Sequence, residues 1–319
     1  MKTAEFIEML QQKGKSEKVI QLAGAVVTSF LEEQERNAEK PDFLGYYLQK
    51  FVTGNPDAVN QIIILFWYHD FIGDKEHSTS LITMLGTLDV IENQKKRLQE
   101  LYGEELAELV FAEVKFPELG TALAAYPAAV SSYLNSMRKH LSVEQCQKVL
   151  AGNHHEVNVQ NFAADKELFL EEKNLAVFLA NKHQRLVEKL QHHADTGELW
   201  FEQYITPAVV DYVRANQVVQ TGILEDGKVI VQKIPYNPSA WLQETDPQKK
   251  RYHACHCPFV RSSIIQGNEP SALWCYCSGG YTSLFFNYLL ETELEVELLE
   301  SVLDGADCCR FAIYLPKQS

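Results

Sequence analysis

Apolar residues recur at three- and four-residue spacing through most of the first two hundred positions. This period places them on one face of an α-helix. The pattern predicts helices over residues 19–35, 79–102, 104–114 and 174–193. Ser142, followed three positions later by Gln145, has the form of a capping box and predicts the start of a further helix. The predicted helical domain extends over residues 1–196.

After Gly197 the pattern changes. A short helix is predicted from Pro207 through Val213, and β-branched runs then flank Asp226-Gly227, a typical hairpin turn. Strands are predicted over residues 218–224, 229–234, 252–260, 272–277, 294–302 and 308–315, with a helix over 281–290. The pattern predicts an α+β protein, in which a large helical region precedes a smaller α+β domain with an antiparallel sheet, residues 197–319.

Composition narrows the classes of partner. The net charge is −14, and no extended basic run is present. Nucleic acids and anionic membrane surfaces bind basic footprints, so neither is expected as a partner. The first residues lack the basic and apolar regions of a signal peptide, and the apolar run 62–68 is too short to span a bilayer. A cytoplasmic protein is predicted.

Six of the seven cysteines lie in the last fifth of the chain. They form two Cys-x-Cys pairs, Cys255/Cys257 and Cys275/Cys277, and an adjacent pair, Cys308/Cys309. In a reducing cytoplasm, clustered cysteines indicate metal binding or redox chemistry more often than structural disulfides. The alternative for some of them is a role as small buried hydrophobic residues.

The predicted strands suggest how four of the thiols could meet. Residues two apart in a strand point to the same face, so Cys255 with Cys257 and Cys275 with Cys277 would converge if their strands paired. Thiolates in this number suit tetrahedral zinc or an iron–sulfur cluster. Cys308 and Cys309 would face opposite sides, so at most one of them could join the site.

Three segments resemble the C-terminal pattern of 4-vinyl-reductase-type domains: residues 274–281 (Trp-Cys-Tyr-Cys-Ser-Gly-Gly-Tyr), 294–305, and 308–311 (Cys-Cys-Arg-Phe). A related pattern closes aminothiazoline-carboxylate hydrolase-like proteins. Residues 233–236 and 251–258 are similar to an uncharacterised bacterial family.

The resemblance implies a zinc ion beside a small organic ligand. Its ligands would be Cys277 or Cys275, a strand glutamate (Glu300 or Glu297), and Cys309. The family's remaining cysteine falls near Leu303 and is missing here, and Cys255 and Cys257 are predicted to supply the lost ligand. The predicted metal ligands are therefore Cys255, Cys257, Cys275, Cys277 and Cys309.

Further residues are candidates for the ligand pocket or for catalysis. Glu297 and Glu300 are three apart on a predicted strand and are expected on opposite faces, so only one could reach the metal or act as a base. The pocket candidates are His253, Arg261, Trp274, Tyr281 and Arg310. The two arginines would pair with an anionic ligand.

Three functions remain open. The first is a zinc protein that binds a small organic molecule. The second is a hydrolase that cleaves a C–N or C–S bond through zinc-bound water or an activated cysteine, with Cys277, Glu300 and Cys309 as catalytic candidates. The third is a thiol redox sensor. Homodimer formation is left open.

A separate polar group follows the apolar run of the helical region. His69-Asp70, Gly73-Asp74 and His77 lie close together in the sequence. They indicate either a second polar site or a helix end that meets water.

Overall fold

Helices make up most of the chain, and a four-stranded antiparallel sheet lies near its C-terminal end. This confirms the predicted α+β class. The computed structural model describes residues 2–201 and 203–316. Within this part of the chain, no helix is both long and apolar enough to cross a membrane.

Backbone contacts divide the chain into two units. The first comprises Met1–Leu88 and Phe116–Tyr126, and the second comprises Asp89–Lys115 and Pro127–Ser319. The predicted boundary between residues 196 and 197 falls within the second unit, and as a domain boundary it stays a prediction.

The first unit is built from helices around one apolar core. They are α1 (Lys2–Gln12), α2 (Glu17–Arg36), α3 (Phe43–Tyr47), α4 (Ala58–Phe71) and α5 (Lys75–Leu85). A turn of π-helix, Leu48–Val52, follows α3, and a 3₁₀ turn covers Leu123–Ala125. The core includes Phe6, Val27, Phe30, Ile62 and Leu65, all nearly inaccessible to solvent.

The second unit begins with further helices. They are α6 (Val90–Tyr102), α7 (Glu104–Phe111), α8 (Tyr126–His140, whose first residue belongs to the first unit), α9 (Val143–Leu150), α10 (Ala163–Glu172), α11 (Leu175–Thr196) and α12 (Pro207–Ala215). Both predicted hydrogen bonds of the capping box between Ser142 and Gln145 are formed at the start of α9. The predicted single helix over 79–102 is wrong: α5 ends at Leu85, and Asp89, with φ 57°, starts α6 from the left-handed region.

The sheet has the strand order β1-β2-β4-β3. The strands are β1 (Ile223–Glu225), β2 (Lys228–Gln232), β3 (Val296–Glu300) and β4 (Arg310–Tyr314). Asp226 and Gly227, with φ of 45° and 76°, form the predicted two-residue hairpin turn between β1 and β2. β2 and β3 flank β4, so the residues at the start of β4 adjoin the end of β2.

Between β2 and β3 the chain is helical. This segment contains α13 (Pro238–Gln243), α14 (Pro247–Ala254), α15 (Arg261–Gln266), the 3₁₀ turn Ala272–Cys275 and α16 (Tyr276–Leu290). The strands predicted over 252–260 and 272–277 are therefore wrong. Asp246 caps α14 and Pro247 occupies its first turn, a favourable start for a helix. The uniformly apolar run after Ser271 cannot distinguish a buried helix from a buried strand.

Two glycines let α16 pack closely against its neighbours. A Cβ atom on Gly280 would lie 2.4 Å from the carbonyl carbon of Ala151, and one on Gly279 would lie 3.2 Å from the ring of Phe311. The backbone of Ala151 leaves no room for a side chain at Gly280, whereas the contact at Gly279 is tight but could be relieved by a small shift of the Phe311 ring. This close packing fixes the first turn of α16, which carries Cys277.

Candidate functional site: a cluster of thiols

The five cysteines predicted as metal ligands, here called the thiol cluster, interact with one another in the second unit. Cys255 ends α14, Cys257 lies before α15, Cys275 and Cys277 flank the start of α16, and Cys309 directly precedes β4. Each thiol interacts electrostatically with at least one other of the five. They meet at helix ends and at one strand end, and not on two paired strands.

Cys275 and Cys309 form the closest pair of the cluster. The Cys275 thiol is hydrogen-bonded to the Cys309 sulfur, and this bond lowers the pKa of Cys309 while it raises that of Cys275. The backbone N–H of Val302 also donates to Cys309 and favours its thiolate. The Cys275 Sγ lies 3.2 Å from the Ser301 Oγ. Because Cys309 is only half-buried, it is the thiolate of this pair that solvent can reach.

Polar side chains contact two of the three remaining thiols. The indole N–H of Trp274 donates to the Cys257 Sγ across 3.1 Å. The amide of Gln94, on α6, contacts the Cys277 thiol and has no N or O partner in the described part of the chain. Burial raises the pKa of Cys277 to about 12 and raises that of Cys255 further. These thiols are therefore protonated at neutral pH in the absence of a metal ion.

Lys233 lies beside the thiol cluster and was not predicted. Its backbone N–H donates to the carbonyl of Cys309 across 3.0 Å, directly after β2. Burial lowers the pKa of its ammonium, while the thiols at positions 255, 257, 277 and 309 favour its charged form. Its position could have identified it. Lys233 directly follows β2, and β2 pairs with β4, which begins directly after Cys309.

The groups around the thiol cluster are not all sealed in the core. Lys233, His256, Cys257 and Cys309 are enclosed by protein on most sides, yet each keeps partial access to solvent. The His256 Nε2 lies 2.6 Å from the carbonyl oxygen of Ile234, and burial lowers the pKa of its ring to about 3. The histidine is therefore neutral at neutral pH.

Three of the predicted pocket residues lie near these groups. Tyr281, 42% exposed, has the Lys233 Nζ 5.0 Å from its ring centroid. The Arg261 guanidinium lies 4.3 Å from the ring centroid of Tyr236. Its positive charge helps to lower the pKa of His256 and opposes the rise in the pKa of Cys255. Trp274 is fully buried and reaches the cluster only through its indole N–H.

Three other candidates contact other partners. His253 is on α14 against Tyr252, with the charges of Glu244 and Arg261 nearby. Arg310 pairs with Glu300 across 3.5 Å, so both charges are already compensated. Glu300 lies near enough to Cys309 to raise its pKa, but its side chain is 46% exposed.

The expectation that Glu297 and Glu300 face opposite sides of the sheet is wrong. Glu297 pairs with Ala312, Leu298 with Phe311, and Glu300 with Arg310, because a bulge interrupts the register between Leu298 and Glu300. Leu299 is the extra residue of the bulge, and its insertion places both glutamates on the same face of the sheet. A bulge of this kind cannot be read from the alternation of residues in β3.

The thiols are close, but they are not arranged as a finished metal site. Among residues 2–201 and 203–316, no three thiols have sulfurs that all lie within 4.8 Å of one another; His69, Asp74 and His77 are the one group of ligand atoms that meets this limit. Zinc–sulfur bonds of about 2.3 Å place tetrahedral sulfurs about 3.8 Å apart. The donor type suits zinc, and the ligand set stays a prediction.

Part of the second unit matches a protein-family model. Residues 224–319 match a family model described as "Family of unknown function (DUF6144)". The matched stretch contains the whole thiol cluster, Lys233 and strands β2 to β4. No curated protein and no solved structure matches the chain.

Proposed function

We propose that the thiol cluster holds a soft metal ion, zinc in the simplest case, and that a small organic molecule binds beside it. The observation that carries this proposal is the convergence of five thiols from separate segments with Lys233. Thiolates are the preferred ligands of zinc and of iron–sulfur clusters. A metal ion also explains why so many reactive groups are buried together, since it replaces their protons.

The local structure permits the closer approach that an ion requires. Cys255 and Cys257 lie in the segment that links α14 to α15, which has no regular secondary structure at residues 255–257. Cys275 and Cys309 are already in contact. An ion bound by this pair would need one or two further thiols from the linking segment or from Cys277, without unfolding of a helix.

The side chains beside the thiol cluster support the binding of an organic molecule. Tyr281 is exposed beside the Lys233 ammonium, and Arg261 stacks on Tyr236. Aromatic faces and fixed cations together suit a small molecule that has both an apolar and a polar part. The ligand would then lie next to the half-buried Cys309.

Metal analysis of the purified full chain tests the metal part of this proposal. We expect close to one equivalent of zinc or iron per chain, reduced in Cys257→Ser and unchanged in Cys146→Ser. Cys146 is a suitable control because it is a buried thiol on α9 and is not among the predicted metal ligands. Less than about a tenth of an equivalent of any transition metal would overturn the proposal.

A second candidate function is hydrolysis through Cys309. The arrangement that favours it is the hydrogen bond from Cys275 to a half-buried sulfur with the Lys233 ammonium nearby. The thiolate would add to the carbon of a C–N bond, Lys233 would protonate the departing nitrogen, and water would release the acyl group. Iodoacetamide labelling separates the candidates: rapid labelling of Cys309 in freshly purified protein supports the nucleophile, whereas labelling only after chelation supports the metal centre.

A further inference from the structure

A second group of ligand-type side chains lies in the first unit. His69 is in the last turn of α4, Asp74 is the residue that caps α5, and His77 is in the first turn of α5. The loop between the two helices turns at Gly73, with φ 76°, and the backbone N–H of Asp74 donates to the carbonyl of His69 across 2.8 Å. This tight turn places the three side chains together.

One carboxylate oxygen lies between the two imidazoles. The Asp74 Oδ2 is 3.1 Å from the His69 Nδ1 and 2.6 Å from the His77 Nδ1. The other oxygen, Oδ1, accepts the backbone N–H of His77 across 3.2 Å. The three ligand atoms all lie within 4.8 Å of one another. Two nitrogens and one carboxylate oxygen therefore lie around one small volume.

The three side chains differ in how far they are exposed to solvent. The side chain of His69 is 5% exposed, whereas those of Asp74 and His77 are 31% and 42% exposed. The ring of His69 packs edge-on against Phe30, with centroids 5.3 Å apart. Its Nε2 is buried and has no hydrogen-bond partner in the described part of the chain. A histidine held this way in an apolar core is fixed in position, with its other nitrogen directed at Asp74.

We propose that His69, Asp74 and His77 bind a divalent first-row transition-metal ion of the zinc type. Two imidazoles and one carboxylate are a common ligand set for such ions, and three protein ligands leave a position open to water. The exposed sides of Asp74 and His77 provide that open position. This centre has nitrogen and oxygen donors only, so it differs in chemistry from the thiol cluster and does not depend on it.

The alternative is a closed hydrogen-bond network in which both imidazoles donate to Asp74 and join α4 to α5. Asp74→Asn separates the two roles, because asparagine also caps helices well while it removes the anionic ligand. His77→Ala removes a second ligand at a half-exposed position, where little packing is lost. His140→Ala, at the exposed end of α8, is the matched control.

The test is titration of the reduced full chain and its variants with Co²⁺, followed by equilibrium dialysis and absorption spectroscopy. Bound Co²⁺ with nitrogen and oxygen ligands shows weak visible bands, whereas thiolate ligands add intense near-ultraviolet bands. We expect the wild type, His140→Ala and Cys257→Ser to bind a Co²⁺ ion that adds weak visible bands, separately from any Co²⁺ in the thiol cluster, which adds thiolate bands. The affinity for Co²⁺ at the centre formed by His69, Asp74 and His77 should fall about tenfold or more in Asp74→Asn and in His77→Ala.

Thermal unfolding provides a readout that a purely structural role would not change. Zn²⁺ that binds the folded state should raise the unfolding temperature of the wild type by more than that of Asp74→Asn, which keeps only the thiol cluster. Each variant is compared with itself without metal, so any loss of stability from the substitution cancels. Unchanged Co²⁺ affinity in Asp74→Asn, or Co²⁺ binding only with thiolate bands, would overturn the proposal.

Discussion

The backbone N–H of Lys233 donates to the carbonyl oxygen of Cys309 across 3.0 Å. This bond extends the pairing of β2 with β4 by one position, since Gln232 is paired with Arg310. A lysine and a cysteine that are 76 positions apart in the sequence thereby meet at the edge of the thiol cluster. The sheet register, and not a local motif, supplies the ammonium group of this site.

Lys233→Met should slow the alkylation of Cys309 near neutral pH. The Cys275 thiol is the main group that lowers the pKa of Cys309, and the Lys233 charge contributes to the same effect. Loss of that charge should raise the pKa of Cys309 and shift its pH–rate profile for iodoacetamide upwards. The profile is measured after chelation by mass spectrometry of the labelled peptide.

The control for this prediction is Lys228→Met, at the other end of β2, where the ammonium lies 5.5 Å from the ring centroid of Tyr314. It should leave the profile of Cys309 unchanged. Identical profiles for Lys233→Met and the wild type would show that the ammonium does not act on the thiolate.

Trp274→Phe should change the reactivity of Cys257. The indole N–H donates to the Cys257 Sγ across 3.1 Å and favours its thiolate against the stronger effect of burial, which raises the pKa. Phenylalanine keeps most of the apolar packing but not the donor, so alkylation of Cys257 should slow and metal content should fall. Trp241→Phe, which loses an indole bond to the carbonyl of Asp307, is the matched control. Equal loss of metal in both variants would point to general destabilisation.

Gly280→Ala should destabilise the second unit by about 1–3 kcal/mol. Alanine favours a helix interior by up to about 1 kcal/mol, but its Cβ would lie 2.4 Å from the backbone of Ala151. Gly279→Ala should cost less, because the nearest atoms belong to the Phe311 ring at 3.2 Å, which can adjust. Urea denaturation followed by circular dichroism measures both. A more stable Gly280→Ala variant would contradict the close packing of α16.

Acid should destabilise the second unit through His154. Burial lowers the pKa of this ring from 6.5 to about 4, and its Nε2 lies 2.9 Å and 3.0 Å from the carbonyl oxygens of Val149 and Leu150. The folded state therefore favours the neutral ring. The associated stability is fully present above pH 6.5 and is lost as the pH falls towards 4, by about 3 kcal/mol in total.

His154→Gln provides the comparison for this pH dependence. Glutamine has an N–H donor for the same carbonyls and no titrating group in this range. The difference in unfolding free energy between the wild type and His154→Gln should shrink or reverse between pH 7 and pH 4. Parallel curves for the two proteins across this range would contradict a buried neutral His154.

Much of the secondary structure could be predicted from local patterns. The predicted helices over 19–35 and 174–193 correspond to α2 and α11, and the Asp226-Gly227 hairpin has the predicted turn. These elements have a clear period or a turn residue with a positive φ. The segments around Cys255 and Cys275 were mispredicted as strands because their apolar residues lack a clear period and become helical through caps and close packing.

The composition of the candidate site was also predictable, but its geometry was not. The same five cysteines were expected together, and they do interact. Lys233 and Gln94 were missed because the sequence patterns of β2 and α6, which position them, carry no sign of a functional site. The relative orientation of Glu297 and Glu300 was mispredicted because a bulge in β3 interrupts the alternation of side chains between the two faces of the sheet.

By itself the sequence determined the helices with a strong apolar period, the hairpin turn and the clustering of cysteines near the C-terminal end. These properties depend on neighbours within a few positions. Only the tertiary structure decided that Lys233 meets Cys309, that Gln94 meets Cys277, and how closely the sulfurs approach. Such contacts depend on strand register and helix packing, which sum small energies over distant parts of the chain and leave no local pattern.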